Sequence, residues 1–78
     1  MLARYREVVQ EVIINQISRV RAARGVTQEE LATRVGVSRQ TIIAIEKGNY
    51  TPSVLLALKL GSFFKMPVEL LFKISHGK

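Results

Sequence analysis

The sequence predicts an all-α fold: five short helices around one apolar core, with a small two-stranded antiparallel sheet from the N- and C-terminal segments. Three observations predict it. Gly25, Gly36, Gly48, Pro52 and Pro67 break the chain into stretches of helix length rather than strand length. Residues able to cap a helix through a side-chain oxygen stand where most of those stretches begin, at Asn15, Thr27, Ser38 and Thr51. Hydrophobic residues make up 47% of a 78-residue chain, which is enough for one core and too short for a second.

The first helix is expected from Asn15 or Gln16 to Arg24, with Asn15 as N-cap, Ile17 and Val20 on one face and Gly25 as its stop. Thr27-Gln28-Glu29-Glu30 forms a capping box, in which the Thr27 hydroxyl takes the Glu30 amide and the Glu30 carboxylate reaches back. It opens a second helix to Val35 that buries Leu31, Ala32 and Val35. Ser38 caps a third helix through Glu46, which Gly48 ends. Thr51 is expected to cap the fourth, with Pro52 in its first turn and Val54, Leu56, Ala57, Leu60 and Phe64 in the core. A short fifth helix is expected over Val68–Phe72, after Pro67.

The ends allow two readings. Val8, Val9, Val12, Ile13 and Ile17 keep a helical period, so the first helix could begin near Arg4. Val12-Ile13-Ile14 is also a β-branched run, and Phe72-Lys73-Ile74 alternates apolar and polar, which suits a strand pair. The strand pair is the preferred reading. Residues 1–11 then form an N-terminal extension, and residues 12–78 the folded domain.

Charge narrows the partners. Twelve Lys and Arg stand against six Glu and no Asp, for a net charge of +6. Residues 1–14 hold two of each sign, so the whole excess lies beyond them. A basic small domain suits a polyanion such as nucleic acid, or an anionic membrane surface. With no Asp, no Cys and a single His76 in the tail, neither a metal cluster, a catalytic triad nor an acid–base pair can be assembled. No cofactor loop is present either. The start lacks the apolar run of a secretion signal, and no stretch approaches the roughly 20 apolar residues of a spanning helix, so a cytoplasmic protein is expected.

The stretch TQEELATRVGVSRQTIIAIEKG, from Thr27 to Gly48, carries the functional signal. It sets two short helices about a turn at Gly36. Ala32 is small where they cross, and Val37, Ile42 and Ile45 give the second a buried face. That arrangement is a helix-turn-helix, whose second helix enters the DNA major groove. Its outward positions are Arg39, Gln40, Ile43, Ala44 and Lys47. Arg39 suits guanine O6/N7 and Gln40 suits adenine N6/N7, while Ile43 and Ala44 suit thymine methyls. On an isolated helix, Arg39 and Gln40 would read as a solvated first turn, and Ile43 equally as packing. Within this motif they are the base-contacting candidates. Helix-opening residues Thr27, Gln28 and Ser38, with Lys47, Asn49, Tyr50 and Thr51, are the phosphate-contacting candidates.

The ordered segments TQEELA, GVSRQTI, IEKGNYTPS, ALKL and PVELLF resemble the Cro and phage-repressor type of helix-turn-helix regulator, the xenobiotic-response-element family. The resemblance covers about residues 15–72 and implies a five-helix, lambda-repressor-like domain with the third helix as reader. It implies an ion pair between Arg21 and Glu46. VIIN and PVELLFKI are similar to short stand-alone repressors such as the cytolysin repressor, which implies a two-stranded sheet and a homodimer through the C-terminal part. Leu55, Phe63, Leu70, Phe72 and Ile74 are the dimer-interface candidates. Four residues depart from the family pattern: Lys65 stands where Gly is usual, Leu55 and Leu70 replace acidic residues, and Ile43 replaces a polar reader.

The expected function is therefore a sequence-specific regulator that represses from a near-palindromic operator on double-stranded DNA. The alternative is an antitoxin-like interaction module, binding a protein partner through residues 1–14 and DNA for autoregulation.

Overall fold

The computed structural model describes residues 11–76, and in them five helices lie between two strands. The order is β1 (Glu11–Asn15), α1 (Ile17–Ala23), α2 (Gln28–Val35), α3 (Arg39–Glu46), α4 (Val54–Phe64), α5 (Val68–Leu71) and β2 (Phe72–His76). The alternative of one helix running from Arg4 into α1 is overturned, because Glu11–Asn15 is a strand; residues 1–10, with most of the segment considered for a protein partner, lie outside the described residues. The side chain of His76 does too.

The β-branched run Val12-Ile13-Ile14 makes Glu11–Asn15 a strand rather than an extension of α1. It pairs antiparallel with β2 in the register Ile13↔Ile74 and Asn15↔Phe72. The pairing joins residues some sixty positions apart and anchors both ends of the domain at one place. There the Gln16 amide donates to the Leu71 carbonyl at 2.8 Å. His76, expected in a frayed tail, instead pairs with Glu11 through its backbone.

The core draws on every helix. Ile17, Leu31, Val35, Ile42, Ile45, Leu56, Leu60, Phe64 and Leu71 are buried, with Val20, Val37, Phe63 and Phe72 packed around them. Fully burying side chains of this size contributes about 1.5–3 kcal/mol each. Among the described residues no buried side-chain polar atom lacks a hydrogen-bond partner.

Four local expectations are corrected. α4 opens at Val54, not at Pro52, because Ser53 rather than Thr51 is the N-cap: its hydroxyl accepts from the Leu56 amide at 3.1 Å. Val54 is 77% exposed rather than core, because Leu56, Leu60 and Phe64 occupy the opposite side of the helix. Ala57 is only half-buried. α5 ends at Leu71, since Phe72 is already extended at φ −131° and ψ 135° and joins β2.

The bend between α4 and α5 sets their packing. Gly61 lies so close to the chain beyond the bend that a Cβ there would sit 2.9 Å from the Met66 carbonyl oxygen. Lys65 makes the left-handed helix stop at φ 57°, a conformation that glycine adopts without strain and lysine does not. The loop geometry is thus kept despite the missing glycine.

Candidate nucleic-acid interface

α2 and α3 are held at their turn by local chemistry. The Thr27 hydroxyl accepts from the Glu30 amide at 3.0 Å, and the Glu30 carboxylate accepts from the Thr27 amide at 2.8 Å. Gly36 takes the left-handed conformation at φ 79°, and the Val37 amide then donates back to the Ala32 carbonyl at 2.9 Å. Ala32 is buried, so the two helices approach closely at their crossing. Ser38 caps α3 by accepting from the Thr41 amide at 3.1 Å. Each step satisfies backbone groups that a helix end otherwise leaves without partners.

Burial phases α3. Ile42 and Ile45 are fully buried, and the side of the helix opposite them carries Arg39, Gln40, Ile43, Ala44 and Lys47. Arg39, Gln40 and Lys47 are exposed, whereas Ile43 and Ala44 are half-buried. Asn49, Tyr50 and Thr51 are exposed in the loop that follows. Tyr50 joins Gln40, Thr41 and Ala44 around a shallow, mainly apolar notch of about 250 Å³. Sequence reasoning had not singled out Thr41, whose hydroxyl also meets that of Ser38 at 3.0 Å.

Behind this face lies a partly buried ion pair. Arg21 Nε and Nη2 donate to the two oxygens of Glu46 at 2.7 and 3.2 Å, and Arg21 Nη1 donates to the Val26 carbonyl at 3.0 Å. The side chains are 16% and 8% exposed. The pair ties α1 to the end of α3, and its geometric constraint matters more than its net stability, because desolvation offsets much of the attraction.

Gln28 does not stand free at the start of α2. Its Nε2 donates to Glu46 Oε1 at 3.0 Å, and its Oε1 accepts from Arg39 Nη2 at 3.3 Å. Nothing in the local pattern TQEE reveals those partners, which lie 18 and 11 residues away. Asn15 is a second tie that the sequence only half disclosed. Gln16, not Asn15, is the N-cap of α1, yet Asn15 Oδ1 still accepts from the Ile17 amide at 3.0 Å, and its Nδ2 donates to the Ile45 carbonyl at 2.9 Å. The strand end, the start of α1 and the end of α3 are thereby locked together.

The dimer-interface candidates fall into two groups. Leu55, Leu70 and Ile74 are exposed large apolar side chains. Phe63 and Phe72 are half-buried against the core of their own chain. Phe63 meets Phe64 edge-on at 4.9 Å and lies beneath the Arg34 guanidinium at 5.4 Å. Among the described residues no cluster of acidic, His or Cys side chains is arranged to hold a metal, and no helix is long and apolar enough to cross a membrane.

Comparison with known proteins gives one answer. A model of the helix-turn-helix family matches residues 17–71. An uncharacterised HTH-type transcriptional regulator of Methanocaldococcus jannaschii is 53% identical over 58 residues, spanning 74% of this chain and 88% of the relative. The transcriptional repressor RstR of a cryptic CTXphi phage from Vibrio cholerae is 35% identical over 54 residues, spanning 69% of this chain and 49% of the repressor. Among solved structures, the restriction-modification controller protein C.AhdI from Aeromonas hydrophila superposes with a TM-score of 0.66 at 27% identity, over 70% of this chain and 83% of that one.

Proposed function

The chain belongs to the helix-turn-helix family, in its Cro and phage-repressor type, and from that premise we propose that it is a homodimeric repressor of a near-palindromic operator. It is a transcriptional regulator with a helix-turn-helix DNA-binding fold, and its family is not one of enzymes. The observation that carries the finer reading is the outward face of α3, where two exposed polar readers are followed by half-buried apolar ones and then a cation.

In this reading α3 lies in the major groove. Arg39 meets guanine O6/N7, Gln40 meets adenine N6/N7, and Ile43 and Ala44 lie against thymine methyls. The amides opening α2 and α3, beside Thr27, Gln28 and Ser38, take phosphate on one side of the groove. Lys47, Asn49, Tyr50 and Thr51 take it on the other. The net charge of +6 supports such a footprint and makes affinity fall steeply with salt.

Dimerisation is supported by the exposed apolar side chains of the C-terminal half, above all Leu55, Leu58 and Leu70. Twofold symmetry then sets two copies of α3 about 34 Å apart, in successive major grooves. Repression rather than activation is the reading favoured by the likeness to a phage repressor. It would act in the cytoplasm, by covering a promoter.

The test is selection from a random DNA library with the purified protein at about 0.15 M salt, a physiological ionic strength. An enriched inverted repeat supports the reading. Binding without enrichment, lost as salt rises, overturns it and favours a protein partner as the main target.

A further inference from the structure

We propose that the groove between α2 and α4 binds a phosphorylated small molecule, held as a dianion by Arg34, Lys59 and Lys65. The site is separate from the outward face of α3, so the proposal does not rest on the reading of that face as a DNA contact.

The groove reaches the turn at Gly36 and measures about 530 Å³. Arg34, Lys59 and Lys65 line it together with Thr33 and Ser62, and all five are exposed. The Lys59 ammonium folds over the turn, 4.0 Å from where a Cβ on Gly36 would stand. Arg34 lies over the Phe63 ring at 5.4 Å, and the pair forms a ridge. Beyond that ridge a second groove holds Glu29 and Glu30 as well as Arg34, so charges of both signs meet there. No acidic residue lines the groove on the α4 side.

Helix ends account for part of this charge. α2 ends at Val35 and α4 at Phe64, and residues of both last turns line the groove. Each C-terminal dipole is worth roughly half a negative charge. Three cations exceed the two dipoles by about two positive charges. A phosphate monoester carries about 1.5 to 2 negative charges at pH 7 and matches that surplus.

Lys65 gives an independent reason. Its backbone is left-handed at φ 57°, where glycine carries no strain. Strained residues persist where the surrounding structure or a function requires them. Among the described residues the Lys65 ammonium makes no hydrogen bond or ion pair, so the fold gains nothing from its charge. What the side chain adds is the third cation of the groove.

The groove is larger than a lone phosphate needs and falls in the range of small-molecule sites, roughly 300–1,000 Å³. The Thr33 and Ser62 hydroxyls offer neutral donors to phosphate oxygens, and Phe63 gives an apolar edge for the rest of the molecule. Such a site lets a one-domain regulator sense a metabolite without a second domain.

Phenyl phosphate is the probe, followed by amide shifts of the full chain without DNA at about 0.15 M salt, a physiological ionic strength. The shifts of Gly36, Ser62 and Lys65 should move together and saturate. Phenyl sulfate has the same shape with less charge, and should bind about two- to fivefold more weakly, the factor usual for one exposed ion pair. Lys65→Gly should weaken phenyl phosphate by a similar factor while the melting temperature holds or rises, which separates lost binding from lost folding. Lys59→Gln should weaken it likewise without touching the strained backbone.

Shifts that stay linear, or that spread equally over Arg19, Arg39, Lys47 and Lys73, mean an adventitious ion only and overturn the proposal. Equal affinity for the sulfate, or undiminished affinity in Lys65→Gly, overturns it too. If a short DNA duplex moves Ser62 and Lys65 and phenyl phosphate does not, the groove belongs to DNA phosphate and the proposal fails. The phenyl phosphate titrations decide on the groove whether or not library selection finds an operator.

Discussion

The two halves of the domain present opposite surfaces. From Thr27 to Gly48, the outward positions carry Arg, Lys, Gln, Ser, Thr and the two acids Glu29 and Glu30, and the apolar ones along α3 are half-buried. In α4, Val54, Leu55 and Leu58 turn outward at 77, 63 and 56% exposure, and Leu70 and Ile74 follow. The first half is also held by side chains that reach across helices, through Gln28, Arg21 and Glu46. The second is held chiefly by burial and by a backbone stop at Lys65, with one side-chain tie, from Arg24 Nη1 to the Phe64 carbonyl at 2.7 Å. A surface that meets a charged, hydrated polymer needs fixed donors. A surface that meets another apolar surface needs only area left uncovered.

That contrast can be broken from either side. Removing the buried carboxylate should have the largest effect: Glu46→Ala leaves Arg21 without its partner and should lower stability by about 3–5 kcal/mol in urea unfolding. A loss under about 1 kcal/mol would mean that water replaces the carboxylate easily, and that the ion pair is not what frames α3.

On the other half, Leu58→Glu should leave the fold of one chain nearly unchanged and weaken self-association by about 2–3 kcal/mol, as judged by sedimentation equilibrium. If the variant associates as the wild type does, the dimer does not use the exposed face of α4.

Arg39→Ala comes next. It should cost about 1–3 kcal/mol at the selected operator, relax the preference at one base pair and leave thermal stability untouched. Equal weakening on every sequence would move Arg39 to the phosphate group. The smallest effect is expected at the bend, where Lys65→Gly should stabilise by about 0.5–1 kcal/mol by relieving the left-handed backbone. No gain in melting temperature would show that the strain is already absorbed by its neighbours.

Much of α2 and α3 was legible because their signals are local. Thr27 with Glu30, Gly36, and Ser38 with Thr41 each act within a few residues, and the apolar period phases the helices. The start of α4 was misplaced because Thr51-Pro52-Ser53 offers two hydroxyls, and both suit a cap. Only the hydrogen bond from the Leu56 amide to Ser53 separates them. The outward positions of α3 were legible, and the resemblance implied the Arg21–Glu46 pair behind them. The ties of Gln28 and Asn15 were not, because their partners lie on other helices.

The sequence by itself determined where most of the helices stop, the apolar phase of α2 and α3 and which side of α3 faces outward, since each depends on residues a turn or two apart. Tertiary structure alone decided the register in which β1 meets β2, that Val54 and Leu58 stay uncovered, and that Gln28 stands between Glu46 and Arg39. Such contacts depend on which groups the packed helices bring within about 3 Å, the hydrogen-bond range, and an amide reads the same in the sequence whichever end it presents.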